Sequence, residues 1–170
     1  MTSETLRAMQ APLKDRYKNQ PDAAMITLKA QGKLGENVTC KLQTGRALVE
    51  AGLHPATGGT GLHACSGDML LEALVACSGV TLSAVATSIG VNVRGGTIMA
   101  EGDLDFRGTL GVSKEVPVGL QRIRLTIELD TDASEEQMAN LRRLTERYCV
   151  VYQTLGRSPE LSISLNGRTK

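Results

Sequence analysis

The sequence predicts an α+β domain in which antiparallel strands pack on one long, buried central helix. Three observations carry that expectation. Residues 98–106 and 122–129 alternate apolar with polar side chains, the period of a half-buried strand. Residues 69–89 form an apolar run of helical length between a glycine-rich loop and Gly90. Strands and helices follow one another as strands, helix, strands, helices, strand, without the βαβ rhythm of a parallel sheet. At 170 residues the chain suits a single domain, residues 1–170, with 1–22 as a helical N-terminal extension.

In the extension, Leu6, Met9, Leu13 and Tyr17 recur at helical spacing, Ser3 is positioned to cap, and Pro12 argues for a bend. Residues 24–30 alternate as a strand, 32–37 read as a turn, and Val38, Cys40 and Leu42 repeat every second residue as a hairpin partner. Residues 46–51 are a third strand candidate. The run His54-Pro55-Ala56-Thr57-Gly58-Gly59-Thr60-Gly61 is a loop by composition. Ser66 is read as the cap of the central helix, Asp68 lies in its first turn where the helix dipole favours an anion, and Gly90 ends it. Between the two alternating strands, residues 108–119 read as a loose loop. Ser134 and Gln137 then have the spacing of a capping box, and Met138, Leu141, Leu144 and Tyr148 form the apolar stripe of a helix. Cys149 falls at its end, one or two helical turns follow to Gly156, and Leu161, Ile163 and Leu165 alternate as a closing strand.

Charge and composition exclude several functions. Lys plus Arg is 19 against 18 for Asp plus Glu, a formal charge of +1, so no basic field exists to gather phosphates or hold a membrane surface. Three Tyr, one Phe and no Trp make a poor stacking platform for bases. Nucleic acid is therefore not an expected partner. The apolar run carries Glu72 and many small hydroxyl residues, which fits a core helix better than a membrane span. The polar start Met1-Thr2-Ser3-Glu4 is unlike a signal peptide, so a cytoplasmic location is expected and the four cysteines are read as free thiols.

No CxxC, HExxH or nucleotide-binding glycine loop is present. His54, His63, Cys65 and Cys77 match no common zinc spacing, so neither a metal nor any other cofactor is expected. Cys77 lies three turns into the apolar helix and reads either as a small buried apolar residue or as a reactive thiol. Cys149 starts a helical segment whose free amides can stabilise a thiolate, help that a mid-helix thiol lacks. On that reading Cys77 needs a cationic neighbour from elsewhere in the fold.

Two motifs carry a resemblance. Gly58-Gly59-Thr60-Gly61 followed by Ser66-Gly67-Asp68-Met69-Leu70-Leu71-Glu72-Ala73-Leu74-Val75-Ala76-Cys77 resembles the central-helix signature of the OsmC/Ohr family. Glu146-Arg147-Tyr148-Cys149-Val150-Val151-Tyr152 resembles its second signature, a charged helix followed directly by a cysteine. The similarity spans roughly residues 27–165. It implies an OsmC-like fold, an intertwined homodimer with two sites at its interface, and thiol-dependent reduction of organic or inorganic hydroperoxides. Cys77 matches the peroxidatic position and Cys149 the resolving one, with an external dithiol (lipoyl or similar) as reductant. Family members pair the first cysteine with an arginine from the early strands or the preceding loop, and with a glutamate at the helix start. Arg46 is the nearest basic candidate, with His54 or His63 as substitutes. The glutamate position is Gly67 here, next to Asp68, and Val150 stands where a proline is common, which suggests an OsmC-like branch rather than an Ohr proper. Cys40, on an alternating strand, is most simply a core residue, and Cys65 is a spare thiol or an alternative resolver. The alternative function is non-enzymatic, an OsmC-fold protein that binds a small apolar ligand or senses redox state.

Overall fold

The computed structural model describes residues 2–19, 32–34, 39–44, 47–111 and 113–167. Helix α1 (Ser3–Asn19) opens the chain and continues through Pro12. Its first turn is capped by Thr2, whose Oγ1 accepts from the Thr5 amide at 3.1 Å, so the cap lies one residue before the expected Ser3. The strand expected at 24–30 falls outside the described residues. Strands β1 (Gly32–Leu34), β2 (Thr39–Thr44) and β3 (Ala47–Gly52) form an antiparallel sheet in that order. Residues 32–34, expected in a turn, are thus a strand: Leu34 pairs with Cys40 and Gly32 with Leu42.

The loop after β3 is built rather than loose. Its 3-10 turn, Pro55–Thr57, is capped by His54, whose Nδ1 accepts from the Ala56 amide at 3.1 Å, and closes on Gly58 at φ 89°. A Cβ on Gly59 would collide with the Leu53 carbonyl, so only glycine fits there. Ala64 then bridges to Ala51 of β3, which fixes where the long helix begins.

Helix α2 (Ser66–Ile89) ends on Gly90 in the left-handed region, φ 74°, with the Gly90 amide donating to the Ala86 carbonyl. Its N-cap is Cys65, not Ser66, and the thiol makes no capping bond. Strands β4 (Val93–Leu104) and β5 (Leu120–Thr131) form a long antiparallel hairpin, Ile98 opposite Ile127 and Ala100 opposite Leu125. Short helix α3 (Phe106–Thr109) occupies the start of the connection expected to be loose, capped by Asp105. Helix α4 (Glu135–Tyr148) carries the expected capping box: Ser134 Oγ accepts from the Gln137 amide, and Gln137 Oε1 accepts from the Ser134 amide. Helix α5 (Val150–Gly156) follows at once.

The core forms where α2, β4, β5 and α4 meet. Leu82, Val85, Ala86, Val91 and Leu141 are buried together, with Ile127, Leu129, Met138 and Leu144 packed against them. On α4 the buried face is Leu141 and Thr145, whereas Tyr148, expected in the apolar stripe, is exposed. By length and composition α2 could cross a membrane. It packs instead on α4, α5 and β4, as the central helix of the fold. One face of α2 is buried in the chain and the other presents Leu70 and Val80 to its surroundings. Residues 157–167 adopt no regular structure, so the expected closing strand is absent from the single chain, and Leu161, Ile163 and Leu165 are almost fully exposed.

Candidate active site

Cys77 sits midway along α2 and Cys149 at the elbow between α4 and α5. At that elbow Cys149 ends one helix and starts the next. Its amide donates to the Thr145 carbonyl at 3.0 Å and its carbonyl accepts from the Gln153 amide at 2.9 Å, around an extended φ/ψ of −72°, 109°. The Gln153 side chain donates back to the Glu146 carbonyl at 2.7 Å, which ties α5 to the last turn of α4. The elbow turns the Cys149 side chain inward, where it is completely buried.

The two thiols meet there. Burial is the largest influence on the Cys77 thiol and opposes its ionisation. It is outweighed by hydrogen bonds from the Val151 amide, the Cys149 thiol, the Val150 amide and the Thr81 hydroxyl, which together hold the thiol below its ordinary value. The expectation that α5 would assist Cys149 while Cys77 went without is therefore corrected. The first free amides of α5 point past their own cap residue to Cys77, because the elbow places the helix end over α2. None of the groups that lower the Cys77 thiol is a cation.

Ser78 completes the arrangement. Its hydroxyl lies 3.4 Å from Cys149 Sγ, and both side chains have 0% exposure. Ser78, Thr145 and Cys149 line a cavity of about 510 Å³ whose other walls are aliphatic residues of α2, β5 and α4 together with Thr126, Arg142, Glu146 and Tyr152. The Thr145 hydroxyl is buried without a hydrogen-bond partner.

Arg46 lies outside the described residues. His54 is engaged elsewhere, its ring stacked on Phe106 at 4.9 Å, and His63 packs over Gly52. Gly67 itself carries no carboxylate, the first-turn acid of α2 being Asp68, and the nearest neighbour for a Cβ added at Gly67 is Cys65 Sγ. Asp68 borders a different, shallower cavity with Leu71, Glu72 and Ala100. Cys65 is free and half-buried at the head of α2, a site separate from the Cys77–Cys149 pair. Among the described residues no group of three or more His, Cys, Asp or Glu is placed to hold a metal ion. The sequence reading did not assign roles to Thr81 or Ser78. Thr81 was legible as the residue four positions beyond Cys77 on the same helix face, whereas Ser78 depends on the position of Cys149 in space.

The family model for OsmC-like protein matches residues 59–164, a span that contains both cysteines. The chain belongs to the OsmC-like family. Solved structures agree on the fold. An OsmC-like protein from Mycoplasma pneumoniae superposes with a TM-score of 0.66 at 16% identity, covering 78% of this chain and 89% of its own. An organic hydroperoxide resistance protein OsmC from Legionella pneumophila gives 0.62 at 16% identity, covering 79% and 92%. One from Elizabethkingia anophelis gives 0.62 at 18% identity, covering 79% and 91%. A search of curated proteins returned no match. The OsmC family model begins after β3, so α1 and the first sheet lie outside the matched span.

Proposed function

We propose that this OsmC-like chain is a thiol-dependent peroxidase that reduces organic and inorganic hydroperoxides, with Cys77 peroxidatic and Cys149 resolving. The observation that carries the reading is the contact between two thiols, one of them held below its ordinary pKa by two amides and a hydroxyl against the opposing effect of burial. The names of the Legionella and Elizabethkingia structures, both organic hydroperoxide resistance proteins, support it. The Cys77 thiolate attacks the outer peroxide oxygen. An S–O bond forms, the O–O bond breaks, and the alkoxide leaves as alcohol after taking a proton. Cys77 is then a sulfenic acid. Cys149 attacks its sulfur, the S–S bond replaces the S–O bond, and the expelled hydroxide leaves as water with the proton from Cys149. An external dithiol restores both thiols by exchange. Arg46 is the proposed cation for the peroxide step.

The active form is proposed to be a cytoplasmic homodimer. Val80 is 73% exposed on α2, and Ile163 is 95% exposed in a tail that alternates like a strand without pairing as one. Both are apolar surfaces that a second copy would cover.

Consumption of cumene hydroperoxide by the pure protein, with dithiothreitol or dihydrolipoamide supplied, tests the function. Activity that Cys77→Ser abolishes is the expected result. Cys149→Ser is expected to give one turnover and a sulfenic acid trapped by dimedone. Full activity in Cys77→Ser overturns the reading. The cavity beside Cys149, with leucine and isoleucine side chains on its β5 wall, favours a second reading, a binder of small apolar ligands, which the absence of any hydroperoxide consumption would leave in place.

A further inference from the structure

The structure assigns Ser78 a role of its own: its hydroxyl, 3.4 Å from Cys149 Sγ with both side chains fully buried, is the positioning and activating donor for the resolving thiol. The inference rests on the proposed peroxidase reading and deepens it. Either group can donate in this contact, and the proposal takes the direction in which the hydroxyl donates. Cys149 carries one S–H, and it is engaged with Cys77. The sulfur lone pairs are what remain for Ser78, so the hydroxyl donates to them.

A donor at that place matters because the closing step builds charge on a sulfur that is fully buried. The titratable or charged groups that face it are Cys77 on α2, Arg142 and Glu146 at the cavity rim on α4, and Tyr152 on α5. Arg142 and Glu146 are paired with each other at 3.0 Å. Strand β5 contributes only aliphatic side chains and Thr126 to the cavity. In the closing step Cys149 attacks the Cys77 sulfenic sulfur, its proton leaves with the expelled oxygen as water, and charge builds on Cys149 Sγ before the S–S bond is complete. Ser78 stabilises that charge and keeps its own proton. It also holds the sulfur toward α2, within reach of Cys77, instead of letting it turn into the aliphatic space beyond.

The test reads Cys149 without peroxide. In a chain with Cys40 and Cys65 replaced by serine, 5,5′-dithiobis(2-nitrobenzoate) forms a mixed disulfide at Cys77 and releases one thionitrobenzoate. Attack by Cys149 then forms the Cys77–Cys149 bond and releases a second. Ser78→Ala is expected to slow the second release roughly tenfold to a hundredfold, the range for a hydrogen bond to a developing charge. Ser78→Thr keeps the hydroxyl, and the neighbouring cavity has room for its extra methyl group, so it is expected to close at close to the wild-type rate. Wild-type release in Ser78→Ala overturns the assignment. So does a Ser78→Thr variant as slow as Ser78→Ala, since packing rather than the hydroxyl would then be responsible. A chain that consumes no hydroperoxide refutes the peroxidase reading and leaves this release experiment intact.

Discussion

Cys77 shows how a residue in an apolar helix acquires acid–base chemistry. Nothing on its own helix except Thr81 lowers its thiol; the rest comes from α5 and Cys149. With the thiol held below its ordinary value, alkylation of Cys77 by iodoacetamide is expected to show a pH midpoint below the unperturbed value of about 8.5. The sign is that of a depressed acid, so reactivity is present above the lowered midpoint and is lost as pH falls through it. Thr81→Val removes one donor at nearly constant volume and is expected to move the midpoint upward. An unchanged midpoint would mean that the amides alone set it. In the core, Leu141 is fully buried against α2, so Leu141→Ala is expected to cost about 2–5 kcal/mol in urea unfolding.

At the scale of elements, the α4–α5 elbow is the part on which the chemistry depends. Two ordinary helix ends meet at one residue, and the second helix is too short to hold its direction alone. Gln153 supplies the missing constraint by donating to the Glu146 carbonyl, which the break at Cys149 leaves open to a new partner. Gln153→Ala is expected to raise the midpoint of Cys77 alkylation, because the Val150 and Val151 amides lose their aim. Its effect on global unfolding is expected to be small beside that of Leu141→Ala. The capping box of α4 is a purely local device in comparison, and Ser134→Ala is expected to cost about 1 kcal/mol without touching Cys77 reactivity. The β4–β5 hairpin is laced on its exposed side by Arg124 with Asp103 and Arg94 with Asp130, pairs whose solvent exposure keeps their contribution slight.

For the whole molecule, the proposed dimer follows from what the single chain leaves uncovered. The exposed face of α2 and the apolar tail from Leu161 to Leu165 are apolar surfaces of the kind a second copy covers. Sedimentation equilibrium is expected to return a dimer at micromolar concentration, with an interface above the standard total of roughly 1,600 Å². Ile163→Arg is expected to shift it toward monomer. A stable wild-type monomer would refute the dimer.

The order of the elements, the central helix, the capping box and the two cysteines were legible in the sequence because each rests on local information. A 3.6 or 2.0 residue period, a Ser-x-x-Gln spacing and a terminating glycine act over one or two turns of chain. The closing strand was misread for the complementary reason. Alternation in Leu161, Ile163 and Leu165 records a preference for extended chain, but a strand exists only where a partner offers hydrogen bonds, and none pairs with this segment among the described residues. Residues 32–34 show the converse, a segment read as a turn that becomes β1 because β2 pairs with it. Tyr148 was misplaced because the buried face of α4 runs through Leu141 and Thr145 and leaves Tyr148 on the exposed side. The environment of Cys77 was beyond the sequence altogether. Electrostatic influence falls off with distance through space, and it was the packing of α5 over α2, not any spacing along the chain, that brought two amides, a buried thiol and the Ser78 hydroxyl together.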